Sequence, residues 1–302
     1  MEFSEPWVRL GEHMSDPTTS PTCYRHPDRE TYLSCSECGR PICPDCSHDA
    51  PVGQKCPECV RAAGRQKIVH GRTLIAGPTF QTSPVAFSLI AINVLIFIIG
   101  MSSRELFSEL VSDFSSLRLF PPGGGIGAIG IEAGEWWRAL TSAFLHDGFM
   151  HVVFNMYFLY IFGPRLEQQV KSGAFAGIYL ASAAGGSLAS YLFGPASVPS
   201  IGASGALFGL FGAWLYAAYR QRGSAAGKAM FNQLGAILLI NLALPLFIPR
   251  IDWRGHMGGL VTGIVVAFLW ERLVTRRFNA RVMRTAVAFA VLAAILATLI
   301  VL

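Results

Sequence analysis

From residue 84 onward the chain alternates long apolar runs with short polar breaks, whereas residues 1–83 hold no apolar run of comparable length. A helix that crosses a bilayer needs about 20 mostly apolar residues. Seven runs approach that length, at 84–101, 148–166, 173–194, 203–219, 230–248, 253–271 and 285–302. The break at 102–138 is long and has a pattern of its own. "SRELFSELVSDF" places apolar residues at helical spacing and predicts a helix lying in the membrane interface. "FPPGGGIGAIGIEAGEWWR" is too rich in Gly and Pro to span. Its Trp136 and Trp137 suit the headgroup level, where Arg138 can reach a phosphate or a backbone carbonyl.

Composition agrees with that pattern. The chain is 52% hydrophobic and 14% charged, against roughly a quarter charged residues in a soluble domain. The net charge of +5 needs no nucleic acid partner, because the arginines fall in loops between apolar runs. Arg61, Arg65, Lys67 and Arg72 precede the first run. Arg165 and Lys171 follow the second, Arg220, Arg222 and Lys228 the fourth, and Arg272, Arg276, Arg277, Arg281 and Arg284 the sixth. The opposite loops are poorer in Lys and Arg for their length. By the positive-inside rule the N-terminus is cytoplasmic and the C-terminus outside. Residues 1–20 begin acidic, lack the apolar core of a signal peptide, and read as a disordered tail. The expected organisation is a tail over 1–20, a metal-binding domain over 21–60, a linker over 61–83 and a membrane domain over 84–302.

All seven cysteines lie in the polar head. Cys35/Cys38, Cys43/Cys46 and Cys56/Cys59 have C-x-x-C spacing, and Cys23 is followed at the same interval by His26. Thiolate and imidazole pairs at this spacing, eight ligands in all, fit two tetrahedral zinc sites. An odd cysteine number and a head facing the reducing cytoplasm argue against disulfides. So small a segment has too little core to fold unaided, so metal supplies folding energy. Fully coordinated zinc leaves no open position for water, so the zinc is structural and the expected roles of the head are binding of a cytoplasmic protein partner or regulation. The order of the pairs resembles the B-box zinc finger. That resemblance implies interleaved sites, one from Cys23, His26, Cys43 and Cys46, the other from Cys35, Cys38, Cys56 and Cys59, with His48 an alternative ligand of the second.

Ionisable residues inside a membrane are costly and ordinarily functional. Here "HDGFMHVVFN" contributes His146, His151 and Asn155, the last two sharing one helix face at a spacing of four. Ser204 opens the fourth run and His256 lies near the start of the sixth. In the predicted topology these groups reach similar depth near the outer face. A single serine there is ordinarily a packing residue, and a single histidine a hydrogen-bonded one. A transporter can also use such groups, though it more often includes a buried acid. Gly205, Gly209 and Gly212 on one run and Gly255, Gly259 and Gly263 on the other have the small-residue period of close helix packing. If those faces meet, Ser204 and His256 come within hydrogen-bond reach. Ser204 would then sit in a first helical turn, where free backbone N–H groups stabilise an oxyanion. Its hydroxyl is a weak nucleophile that needs a base, and a neutral His256 can serve.

"GEWWRALTSAFLHDGFMHVVFN", "GPRLE", "GASGALFGL" and "GHMGGLVTG", in that order and spacing, resemble the rhomboid family of intramembrane serine proteases. The resemblance implies an all-α polytopic membrane protein: a six-helix core plus one C-terminal transmembrane helix, here with a small N-terminal two-zinc domain. It implies Ser204 as nucleophile and His256 as general base. It gives His151, Asn155 and the Ser204 backbone N–H to the oxyanion hole. Phe208 would pack on the histidine in place of the tyrosine many relatives carry, Glu167 would anchor the inner end of the second span, and Asp252 reads as a loop residue. No metal is needed for catalysis. Expected partners are single-span membrane protein substrates and the lipid bilayer, in a cell membrane, with the active site towards the outer face. The alternatives are a catalytically silent rhomboid-like binding protein, a transporter, and a zinc module for which the spans are an anchor. Retention of both serine and histidine argues against the first, and seven spans with levelled polar groups are excessive for the last.

Overall fold

A computed structural model of the chain describes residues 20–50, 53–62, 78–118, 129–196, 198–248, 251–274 and 279–302. Residues 1–19 of the expected tail, most of the expected linker, and Arg276 and Arg277 lie outside the described residues. The chain divides into two compact units, Met1–Ala76 and Gly77–Leu302.

The first unit holds two short antiparallel ribbons, β1 (Thr22–Cys23) with β2 (His26–Glu30), and β3 (His48–Asp49) with β4 (Gln54–Lys55), followed by a short helix α1 (Pro57–Ala62). Its buried cluster consists of five cysteines and Ile42. That is too little apolar surface to hold a fold by itself.

The second unit is helical. Its long helices are α2 (Pro84–Gly100), α5 (Phe149–Val170), α6 (Ser172–Phe193), α7 (Ser204–Arg220), α8 (Ala225–Ala243), α9 (Trp253–Leu273) and α10 (Ala280–Val301). Between α2 and α5 come the helix α3 (Arg104–Phe114) and the short α4 (Arg138–Thr141). The seven apolar runs thus correspond to the seven long helices. Two of these begin earlier than hydropathy predicts, α8 at Ala225 rather than 230 and α10 at Ala280 rather than 285. Polar caps start both: Ser224 accepts the Gly227 N–H and Asn279 accepts the Arg281 N–H. Lys228, Arg281 and Arg284, read as loop charges, therefore lie within the first five residues of these helices. Helix α3 is the expected amphipathic element, capped by Ser103 and without a buried residue.

Helices α6, α7 and α9 pack most closely, with α10 on the other side of α6, α2 beside α5, and α8 chiefly against α7. Only α8, extended to Leu246, and α10 pass as membrane spans by length and composition alone among the described residues, while α2 is apolar but shorter. Of the central helices, α7 is short, with 17 residues, and α6 is rich in glycine and serine. Lateral faces of α2, α8 and α10 expose large apolar side chains such as Ile98, Leu239, Ile240 and Ile300, as a lipid-facing surface does.

Glu167 is buried near the end of α5. Its carboxylate accepts the backbone N–H groups of Val85 (3.1 Å) and Ala86 (2.8 Å) and the Ser172 hydroxyl (2.6 Å). It thus satisfies two orphan donors at the N-terminus of α2 and places negative charge at the positive end of that helix.

Candidate functional site

Ser204 is the first residue of α7, and His256 lies in the first turn of α9, three residues beyond Trp253. These helices approach closely because each lacks side chains where they meet. A Cβ at Gly259 would overlap the Gly205 carbonyl, and one at Gly263 the Gly209 carbonyl. Helix α6 joins the same seam: a Cβ at Gly185 would overlap Thr262, and one at Gly209 would overlap Ser182. The result is a distance of 2.8 Å between His256 Nε2 and Ser204 Oγ. The imidazole is stacked on Phe208, with ring centroids 4.3 Å apart and planes inclined by 12°.

The segment ahead of Ser204 is held from two sides. Ser200 and Ser116 form an isolated antiparallel bridge. The Gly202 N–H donates to the Ser142 carbonyl (2.9 Å), and the Ala203 N–H lies 3.5 Å from His146 Nε2 as its acceptor. His146 is buried, and its ring meets that of His151 edge-on at 4.9 Å. Gly202 adopts φ +121°, a region open to glycine but strained for other residues. A Cβ there would lie 2.6 Å from His151 Nε2 and 3.8 Å from Asn155 Nδ2. Both side chains therefore point at the backbone two residues before Ser204. Asn155 is 7% exposed, and its Nδ2 is a buried donor without a partner among the described residues. Such a group costs about 1–3 kcal/mol unless something accepts from it, and a ligand oxygen would.

A small polar cavity adjoins the pair, lined by Ser142, Ser187, Ser200 and Asp252 as well as Ser204 and His256. Sequence reasoning left Asp252 in a loop. It is the N-cap of α9: Oδ1 accepts the Gly255 N–H (3.0 Å), and Oδ2 accepts the hydroxyls of Ser200 (2.6 Å) and Ser190. The only advance signal was its position one turn before a helical histidine. His146 was recognised as one of the clustered polar residues but had no assigned partner.

In the head, the eight Cys and His candidates gather into two groups that could each hold a metal ion: Cys23, His26, Cys43 and Cys46, and Cys35, Cys38, Cys56 and Cys59. Within each, the ligand atoms lie within 4.8 Å of one another. His26 Nδ1 is 3.3 Å from Cys43 Sγ and 3.4 Å from Cys46 Sγ, and Cys38 Sγ is 3.8 Å from Cys56 Sγ. Tetrahedral zinc with Zn–S near 2.3 Å calls for sulfur pairs about 3.8 Å apart, so the donor set and spacing fit. His48 belongs to neither group; it is exposed on β3. The cysteines of the second group differ: hydrogen bonds with Cys56 and Cys38 push the Cys59 thiol up to about 12, whereas Cys35 and Cys38 are lowered. The Cys56 N–H donates to Cys35 Sγ and lowers the Cys35 thiol to about 6. Arg40 donates to Cys38 and Cys56 and lowers Cys38 as well.

The rhomboid-domain family model matches residues 133–272, which include Ser204, His256, His151 and Asn155. Over 141 residues the chain is 43% identical to rhomboid protease GluP of Bacillus subtilis (strain 168), a match covering 45% of this chain and 26% of that protein. It is 31% identical over 150 residues to the rhomboid-protease relative YdcA of the same organism, covering 50% of this chain and 75% of YdcA. It is 41% identical over 145 residues to RHOMBOID-like protein 6, mitochondrial, of Arabidopsis thaliana, covering 46% of this chain and 45% of that one.

Proposed function

Because the chain belongs to the rhomboid family, we propose that it is an active protease that hydrolyses peptide bonds in or beside the transmembrane segments of single-span membrane proteins. At the family level it is a multi-pass membrane protein of the intramembrane serine protease type. The observation that carries the finer reading is the 2.8 Å contact between Ser204 Oγ and His256 Nε2 at the mouth of a tightly packed helix triad.

In the proposed reaction His256 is neutral, with its proton on Nδ1, so that Nε2 is free to accept from Ser204. Oγ attacks the scissile carbonyl carbon as its proton passes to Nε2. Negative charge moves to the carbonyl oxygen, which accepts from the Ser204 N–H, His151 Nε2 and Asn155 Nδ2. The imidazolium returns its proton to the departing amine, leaving an acyl group on Oγ. Water, deprotonated by His256, attacks the ester. Collapse of the second tetrahedral intermediate gives a carboxylic acid and regenerates the serine. Phe208 stacks on the imidazole and supports its face.

The distribution of Arg and Lys supports a cytoplasmic head and a site opening near the outer face. In the head, zinc is the metal we assign to the two ligand groups, where it would supply folding energy and link the ribbons.

The test is cleavage of a reconstituted single-span substrate by wild type, Ser204→Ala, His256→Ala and the double variant. Each single change is expected to reduce cleavage to background. The double variant should be no worse, because paired catalytic groups act as a unit. Substantial cleavage by folded Ser204→Ala overturns the assignment and favours a catalytically silent binding protein.

A further inference from the structure

The carboxylate of Asp252 meets three parts of the fold at once. Oδ1 caps α9 through the Gly255 N–H, the residue immediately before His256. Oδ2 accepts from Ser200, four residues before Ser204, and from Ser190 on α6. The fit is close: a Cβ on Gly255 would lie 2.7 Å from Asp252 Oδ2 and 3.0 Å from Ser190 Oγ. Glycine before the histidine is what lets the carboxylate fold back under the helix. Ser200 is in turn bridged to Ser116. One side chain thus ties the loop leading to the nucleophile, the helix carrying the base, and α6, which packs against both α7 and α9.

We propose that Asp252 is a positioning residue for the reaction, setting the separation of Ser204 and His256 rather than merely starting a helix. The proposal rests on the protease reading above. Three donors converge on one group, so the site calls for an acceptor at both oxygens. An ionised carboxylate supplies that and an amide does not. Hydrogen bonds to a charged acceptor are also stronger than neutral ones. A displacement of 1 Å in such a pair can cost about 10²-fold in rate, so a small slackening of this tie is visible in turnover before it is visible in stability.

The test compares Asp252→Asn, Ser200→Ala and their combination with wild type. The readouts are kcat and KM on a reconstituted spanning substrate, the rate at which a fluorophosphonate probe labels Ser204, and thermal unfolding in detergent. Asparagine is itself a good N-cap, so Asp252→Asn should fold and unfold near the wild-type temperature. Its kcat and labelling rate are expected to fall about tenfold or more, with KM within about twofold of wild type. Ser200→Ala is expected to show a smaller fall of the same kind. The combination should be no worse than Asp252→Asn alone, since both changes break one tie. Wild-type kcat and labelling in Asp252→Asn, a change confined to KM, or multiplied effects in the combination would overturn the proposal while leaving the protease reading intact. A wild-type protein that neither cleaves nor takes the probe would overturn both.

Discussion

Gly259 lies so close to Gly205 that a Cβ on the former would overlap the carbonyl oxygen of the latter. Ser204 and His256 flank this contact, one residue before Gly205 and three before Gly259. Interhelical distance and dyad geometry are therefore one variable. Without a hydrophobic force between helices in lipid, such backbone approach is what association relies on.

Gly259→Ala is expected to separate α7 and α9 near the dyad. Overpacking of a tight site costs about 1–3 kcal/mol, read as a lowered unfolding temperature in detergent. Labelling of Ser204 by a serine-directed probe should fall with it. Gly235, where a Cβ would meet nothing within 4 Å among the described residues, is the control: Gly235→Ala should change neither. Equal behaviour of the two variants would refute the account of the seam.

Asn155→Ala and His151→Ala are expected to lower kcat while leaving measurable activity, because the Ser204 N–H remains. Loss of one oxyanion donor costs about 10²–10³-fold in kcat where it has been measured, and that is the upper range here. Full activity of both single variants on every substrate tested would remove these side chains from the mechanism.

Glu167→Ala exposes the consequence of a buried acceptor at a helix N-terminus. It strands the Val85 and Ala86 N–H groups, which Glu167 now satisfies. Each stranded donor costs about 1–3 kcal/mol, so the membrane unit should unfold at a clearly lower temperature. An unchanged transition would mean that α2 is held by its apolar contacts alone.

Metal analysis of the full-length protein is expected to give about two zinc ions per chain, one for each four-ligand group. Chelation should unfold the head, whose buried cluster is little more than cysteine, and leave the thermal transition of the membrane unit in place. Because Ser204, His256, His151 and Asn155 all belong to the second unit, a chain starting at Gly77 should still cleave a generic substrate. Loss of all cleavage on truncation would make the head part of the enzyme.

Much of this molecule is written locally. Apolar runs close to the length of a bilayer crossing, broken by charged loops, mark the seven long helices without reference to one another. "SRELFSELVSDF" carries its own helical period. Paired Cys and His with two residues between them can face one ion whatever the rest of the head does, and the small-residue period on α7 and α9 announces a close contact. Helix starts were less legible, because Ser224 and Asn279 act through backbone geometry rather than hydropathy. What the tertiary structure decided is which distant groups meet. Asp252 is joined to Ser200 and Ser190 across separations of 52 and 62 residues, and no period connects them. His146 had a place in the sequence but acquired a partner, the Ala203 N–H, only through folding. The same is true of α6, whose Gly185 admits Thr262 to the seam. A hydrogen bond depends on distance and angle at a few ångströms, and those are fixed by packing, whereas hydropathy and ligand spacing are properties of the chain before it folds.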